Sequence, residues 1–170
     1  MDGNITIGDN TVIWNNVVIV NRVSIGNDCE IQSGAVIGQD GFAYTEDENH
    51  VKTMVKHYGG IVIEDNVNIG GNVIVDRAQI DDTVICAGCK IDPLVHIAHN
   101  VVLGKNSTVI ACANIMGSVS TGENVYISSS IVRNQIKIGS NAVVGMGAVV
   151  VKDVSGDTTV VGNPAKVFEK

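Results

Sequence analysis

The feature that most constrains the fold is a repeat of six residues that runs through most of the chain. Written in sixes from Ile7, the sequence reads IGDNTV, IWNNVV, IVNRVS, IGNDCE, IQSGAV and IGQDGF. Each row opens with isoleucine, and its fifth residue is small or aliphatic. Comparable rows return at Ile63, run from Ile85 to Val132 and resume at Ile138. A period of six matches neither a helix nor the alternation of a simple strand, but it is typical of a solenoid.

The row pattern predicts a triangular prism. Three rows would form one coil of about 18 residues, with coils stacked about 4.8 Å apart. The opening aliphatic and the small fifth residue would point inward, and Gly, Asn and Asp between them suit tight turns, some with positive φ. A composition that is 45% hydrophobic but only 4% aromatic suits such thin layers. We therefore predict an all-β fold, a single-stranded parallel β-helix of about seven coils, with residues 1–170 as one domain.

The period is interrupted at three places. The spacing falls to five residues twice between Val75 and Ile85, and once between Ile127 and Val132. A longer, charged interruption covers residues 39–60 and predicts a loop extruded from one face, where solenoids often carry function. The repeats end before a C-terminal tail, residues 156–170.

Charge and hydropathy exclude several classes of function. The net charge of −7 argues against nucleic acid as a partner. Because no run of about 18 apolar residues is present, we predict no membrane span. The start of the chain does not resemble a signal peptide, so we expect a cytoplasmic protein with reduced cysteines. The lone Cys86-Ala87-Gly88-Cys89 motif lacks a second pair of ligands, so we expect no metal site.

One group of residues suggests catalysis. His99 is third in its row, so it is expected at a turn, facing outward. Counting rows places Asp82 one coil below it and Gly117 one coil above it. A carboxylate could fix the tautomer of the imidazole and raise its basicity, and a glycine N–H could stabilise an oxyanion. This arrangement suits direct acyl transfer from a thioester, with His99 as general base and no covalent nucleophile.

Five segments resemble one family. IGQDGFAY (37–44), VDRAQIDDTVI (75–85), HIAHNVVLG (96–104), IMGSVSTG (115–122) and VVGMGAVV (143–150) are similar to the UDP-3-O-acylglucosamine N-acyltransferases of lipid A synthesis, the LpxD family. The resemblance covers about two-thirds of the chain.

The resemblance implies a left-handed helix, a homotrimer and active sites between neighbouring prisms. It also implies that His99 is the general base and that Gly117 supplies the oxyanion N–H. Phe42 and Tyr44 resemble the family's substrate-side loop, and Met146 borders its acyl-chain groove. On the substrate side we further expect His96, Asn100 and Asn134.

The chain also departs from that family. It enters the repeats at residue 7, so the family's N-terminal nucleotide-binding domain is expected to be absent. The tail VVGNPAKVFEK resembles that of short-chain, acetyl-CoA-dependent hexapeptide transferases, in which the segment matching Asn163 to Lys166 lies near the coenzyme. Asn134 or Gln135 replaces the family's second active-site histidine.

We therefore expect an acyltransferase that acts on the amine of a nucleotide-linked amino sugar. The cosubstrate would be a thioester of coenzyme A or of acyl carrier protein, and no cofactor would stay bound. Nitrogen as the acceptor atom is implied by the resemblance alone.

The sequence is also compatible with two other functions. A zinc-dependent enzyme of the γ-carbonic anhydrase type would need His57 from the loop to join His96 and His99. A non-catalytic scaffold would present flat solenoid faces to partners and would not need the column of Asp82, His99 and Gly117.

Overall fold

The chain folds into a β-solenoid built from short strands. A computed structural model describes residues 4–20 and 22–168. The strands within these ranges, in chain order, are β1 Ile5–Ile7, β2 Val12–Ile13, β3 Val18–Ile19, β4 Val23–Ile25, β5 Glu30–Ile31, β6 Val36–Asp40, β7 Tyr44–Glu46, β8 Lys52–Met54, β9 Gly60–Ile63, β10 Asn68–Ile69, β11 Ile74–Arg77, β12 Asp82–Ile85, β13 Lys90–Ile91, β14 His96–Ile97, β15 Val102–Leu103, β16 Thr108–Val109, β17 Asn114–Ile115, β18 Ser120–Thr121, β19 Tyr126–Ile127, β20 Ile131–Val132, β21 Lys137–Ile138, β22 Val143–Val144, β23 Val149–Val150, β24 Thr159–Val161 and β25 Lys166–Val167.

Three long sheets form the sides of a left-handed prism, as predicted. The first sheet has the order β1-β4-β9-β12-β15-β18-β21, the second β2-β5-β10-β13-β16-β19-β22-β24-β25, and the third β3-β6-β11-β14-β17-β20-β23. Pairing between consecutive coils is parallel, and within the three sheets of the described ranges only β25, at the end of the second sheet, is antiparallel. Two sheets have seven strands and the second has nine, in which β24 continues the stack and β25 folds back on it. The solenoid has about nine turns, more than the roughly seven coils predicted.

The row-opening aliphatic residues explain why this sequence closes into a prism. On each side they stack in register, as in the series Ile37, Val75, Ile97, Ile115 and Val132 on the third sheet. All five side chains are buried, as are the small fifth-position residues such as Cys29 and Ala35. Most of the predicted inward positions are therefore confirmed. The exceptions are in the first coil, where Ile7 is 48% exposed, and at the corners with five-residue spacing, where Ile80 and Ile131 are exposed.

The turns follow from the fourth residue of most rows, which adopts a left-handed conformation. Asn is frequent there, since its short polar side chain tolerates positive φ better than most. The non-glycine residues with positive φ are Asn10, Asn16, Arg22, Asp28, His50, Asn66, Asn72, Leu94, Asn100, Asn106, Cys112, Ser118, Asn124, Gln135, Asn141 and Asp157.

The predicted extruded loop is present and contains a hairpin. β6 runs to Asp40, after which β7 and β8 pair antiparallel outside the prism, and the chain returns at β9. Arg77, on the coil above, closes the base of the loop. Its Nε donates to Asp40 Oδ1 at 2.5 Å, and its Nη2 donates to the carbonyl oxygen of His57 at 2.6 Å. The loop is thus held against the third sheet.

No helix in the described ranges is long and apolar enough to cross a membrane. The C-terminal residues up to 168 pack along the end of the prism, where Val149 N–H donates to Gly162 O and Ala165 N–H donates to Val149 O.

Candidate active site

His99 lies at the corner that joins the third sheet to the first, in an open cavity of about 560 Å³. The residues that line the cavity are Phe42, Asp76, Gln79, His96, Ala98, His99, Met116, Gly117, Ser118, Asn134 and Gln135. The structure therefore brings together five of the residues selected from the sequence: His99, Gly117, Phe42, His96 and Asn134.

Two glycines flank the imidazole of His99. A Cβ placed on Gly117 would lie 2.7 Å from His99 Nε2, and one placed on Gly41 would lie 2.9 Å from His99 Cδ2. Real Cβ atoms do not approach other atoms so closely, so any side chain at either position would displace the ring. The predicted placement of Gly117 directly above His99 is confirmed, since Ile97 pairs with Ile115 in register. Gly41, at the start of the extruded loop, was not selected from the sequence.

The side chain of Asn100 sets the tautomer of His99. Its Oδ1 accepts a hydrogen bond from the Gln79 backbone N–H at 3.1 Å, which fixes the oxygen on that side of the amide. The same oxygen lies 3.1 Å from His99 Nδ1. Because a carbonyl oxygen can only accept, Nδ1 carries the proton and donates it. In the neutral ring the lone pair is then on Nε2, next to Gly117 at the cavity wall.

The loop that carries Asn100 is held by a second chain of hydrogen bonds. The Asn100 backbone N–H donates to Thr83 Oγ1 at 2.9 Å, and that hydroxyl donates to Asp76 O at 2.9 Å. Asn100 was expected on the substrate side, but it does not line the cavity. Its position behind His99 makes it an orienting residue.

The predicted position of Asp82 below His99 is wrong. Ile97 pairs below with Val75, not with Ile80, which is 74% exposed. The two five-residue spacings are a single widened corner between Val75 and Ile85, so counting Ile80 as a row shifted the column. Asp82 lies on the first sheet, where its Oδ1 accepts the Gly60 N–H at 2.8 Å.

A carboxylate does reach the cavity from the coil below, but it belongs to Asp76. Its Oδ2 lies 3.0 Å from His96 Nε2. The hydrogen bond that His96 Nε2 donates to Asp76 raises the pKa of His96 above its ordinary value, although partial burial of the ring opposes this. The cavity thus contains a hydrogen-bonded His96–Asp76 pair beside His99. In the sequence, Asp76 directly follows Val75, which opens a row and points inward. This position could have identified Asp76 as a site residue.

The residues expected near the acyl donor lie elsewhere on the chain. Met146 is at the corner between the second and third sheets and is 80% exposed, and the Asn163 and Lys166 side chains are exposed in the same region. Tyr44 lies on the hairpin, with its ring 4.9 Å from that of Phe42. None of these four residues lines the cavity around His99 of the same chain.

The three histidines that a zinc enzyme would need do not converge on one point. His57 and His99 have ring centroids 5.9 Å apart, whereas His96 Nε2 is bonded to Asp76. Within residues 4–20 and 22–168, no three His, Cys, Asp or Glu side chains are grouped as metal ligands.

Comparison with known proteins shows which proteins the chain is similar to. Residues 4–39 match the family model described as bacterial transferase hexapeptide (six repeats). A UDP-3-O-acylglucosamine N-acyltransferase of Wolinella succinogenes is 39% identical over 141 residues, which are 82% of this chain and 44% of that protein. The enzyme of the same name from Methylobacterium nodulans is also 39% identical, over 84% of this chain and 40% of its own. The chain therefore spans less than half the length of these relatives.

Solved structures show the same fold. The UDP-N-acetylglucosamine acyltransferase of Francisella novicida superposes with a TM-score of 0.86 at 24% identity, over 97% of this chain and 59% of that one. PerB of Caulobacter crescentus, solved with CoA and GDP-perosamine, gives a TM-score of 0.58 at 20% identity, over 96% of this chain and 58% of its own.

Proposed function

We propose that this chain, whose residues 4–39 match the bacterial transferase hexapeptide model, transfers an acyl group from a thioester to the amine of a nucleotide-linked amino sugar. The observation that carries the proposal is the setting of His99. Its Nδ1–H is bonded to Asn100, and the lone pair on Nε2 lies beside Gly117 at an open cavity. This is the arrangement that a general base requires.

In the proposed reaction, the sugar amine attacks the thioester carbonyl carbon. A C–N bond forms, and Nε2 of His99 takes a proton from the nitrogen. When the tetrahedral intermediate collapses, the C–S bond breaks and the proton passes from His99 to the departing sulfur. His99 is thereby returned to its starting state, and the products are an amide and a free thiol.

The Gly117 N–H would stabilise the oxyanion of that intermediate. The carbonyl oxygen of Gly117 accepts the Gln135 N–H at 2.9 Å, which ties the peptide that follows Gly117 to the coil above. Among the described residues, no backbone or side-chain acceptor is bonded to the Gly117 N–H. An unused donor next to the base is well suited to developing negative charge.

The acceptor side would be formed by His96, Asp76 and Phe42. The hydrogen-bonded pair of His96 and Asp76 offers both a donor and an acceptor to sugar hydroxyls, and the Phe42 ring is 84% exposed, so it can stack against an apolar face of the ligand. The names of the sequence relatives support a nucleotide sugar as the acceptor.

The donor side would come from a neighbouring chain in a homotrimer. Met146, Asn163 and Lys166 lie at a different corner of the prism from His99, so one chain alone does not place them at the cavity. Three prisms side by side would bring that corner of one chain to the cavity of the next. The cosubstrate would be acyl-CoA or an acyl carrier protein thioester, and structures solved with CoA and with acetyl coenzyme A in similar folds support such a donor.

A thiol-release assay tests the proposal. Acetyl-CoA, long-chain acyl-CoA and acyl carrier protein thioesters are offered in turn with a panel of UDP-, GDP- and dTDP-linked amino sugars, with the matching N-acetylated sugars as controls. We expect thiol release with at least one amino sugar, and none when its amine is blocked. Thiol release that does not depend on the acceptor, or no thiol release with any acceptor in the panel, would contradict the proposed reaction.

The oligomer is tested by light scattering on the eluting protein. We expect three times the chain mass of 17.8 kDa. A monomer that retains full acyl transfer would contradict a site shared between neighbouring chains.

A further inference from the structure

A second histidine lies beside His99, and its setting is unusual for a structural residue. His57 lies on the returning arm of the extruded loop, shortly before β9, and it is only 3% exposed. Its Nδ1 lies 2.9 Å from the carbonyl oxygen of Val55. Because that oxygen can only accept, the proton of the neutral ring is on Nδ1, and Nε2 bears the lone pair.

The Nε2 atom of His57 is buried and has no hydrogen-bond partner in the described chain. An unpaired buried nitrogen lowers stability, so packing alone would favour an apolar side chain at this position. In the tautomer that donates from Nδ1 to Val55, the lone pair on Nε2 is therefore free.

The ring of His57 meets that of His99 nearly at a right angle. The ring centroids are 5.9 Å apart, with an interplanar angle of 80°. Arg77 fixes this contact, because it binds the His57 carbonyl oxygen and also the carboxylate of Asp40 at the other end of the loop.

The other charged groups nearby are already paired. Arg77 is paired with Asp40, and Asp76 is paired with His96. The Nδ1–H of His99 faces the neutral amide of Asn100. When His99 takes a proton, its new positive charge therefore has no carboxylate bonded to it, and the buried ring of His57 lies beside it.

We propose that His57 is a positioning residue for His99: its neutral ring holds the plane of the His99 imidazole and its free lone pair favours the protonated form made during acyl transfer. This inference rests on the proposed function, because it assigns His57 a part only if His99 is the base. His57 does not line the cavity, so it would act through His99 and not on the substrate.

The test is the substitution His57→Phe, which keeps an aromatic ring of similar size but removes the lone pair. We expect kcat to fall by about 5- to 10-fold with KM nearly unchanged, and the acid limb of the kcat/KM profile to move to lower pH, because the lone pair that favours the His99 cation is removed. His57→Leu removes the ring as well and should show at least the same loss. Thermal unfolding confirms that each variant is folded.

Lys56→Ala is the matched control, because Lys56 is the adjacent, exposed loop residue. If both His57 variants fold and keep the wild-type kcat and acid limb, the assignment of His57 is wrong. The same conclusion follows if only KM changes. If instead His99→Gln keeps full activity, the proposed function itself fails, so the two failures are distinguishable.

Discussion

Asn100 Oδ1 lies 3.1 Å from His99 Nδ1 and accepts a second hydrogen bond from the backbone of Gln79. The orientation of the amide is thus decided by the main chain, and the tautomer of the histidine follows from it. An amide, not a carboxylate, positions the proposed base. Its removal should disturb catalysis more than stability.

We expect Asn100→Ala to lower kcat/KM by about 10-fold or more, since the imidazole is then free to rotate and to exchange tautomers. Asn100→Asp is the matched variant, because a carboxylate also accepts the Nδ1 proton, and it should retain most of the activity. Steady-state kinetics with the best substrate pair measure both. Equal activity in the Ala variant and the wild type would show that Asn100 does not orient the base.

Gly117→Ala should reduce kcat by about 100-fold, because the added Cβ collides with His99 Nε2 and disturbs the peptide that supplies the oxyanion N–H. Gly71→Ala serves as the control, since its Cβ would meet only Ser33 O, at 3.2 Å. Kinetics and thermal unfolding are compared for the two variants. A similar loss in both would mean that the effect at Gly117 is one of folding.

The His96–Asp76 pair should make stability depend on pH. Asp76 raises the pKa of His96, so the pair stabilises the fold fully below the ordinary histidine pKa, and that contribution is lost as the pH rises through the raised value. Urea unfolding at about pH 5.5 and about pH 9 should therefore show that Asp76→Asn is more destabilising at the lower pH. The effect will be small, because the His96 side chain is 40% exposed and solvent screens the pair. An equal effect at both values would contradict the pairing.

A pair of core substitutions tests the register around the widened corner. Ile97→Ala should destabilise the fold by about 2–5 kcal/mol, because the side chain is fully buried in the third-sheet ladder. Ile80→Ala should change stability by less than about 0.5 kcal/mol, since Ile80 is 74% exposed. Denaturant unfolding measures the loss of stability in each variant. Equal losses of stability would mean that Ile80 is a core residue.

The six-residue period was sufficient to predict the prism, because each row places one aliphatic residue inward and stacking repeats that choice in every coil. It was also sufficient to place Gly117 above His99, since no change of spacing intervenes between them. The period gave the wrong position for Asp82, which does not lie below His99. Counting residues cannot distinguish two short spacings at one corner from two short rows. The register of that corner is set by pairing between strands.

The remaining site residues depend on contacts that have no periodic signal. Gly41 and His57 reach His99 only because Arg77 ties the two ends of the extruded loop to the prism. Asn100 was selected from the sequence, but its part in fixing the tautomer follows from the turn that presents the Gln79 N–H to it. These contacts join residues from different coils and from the loop.

The most direct test of the account is the substitution His99→Gln, which keeps a polar side chain at the cavity but removes the base. With the amino-sugar acceptor and thioester donor that the wild type prefers, we expect kcat/KM to fall by about 100- to 10,000-fold while the fold and the oligomer are unchanged. Activity within about twofold of the wild type would contradict the assignment of His99 as the general base, and with it the proposed mechanism.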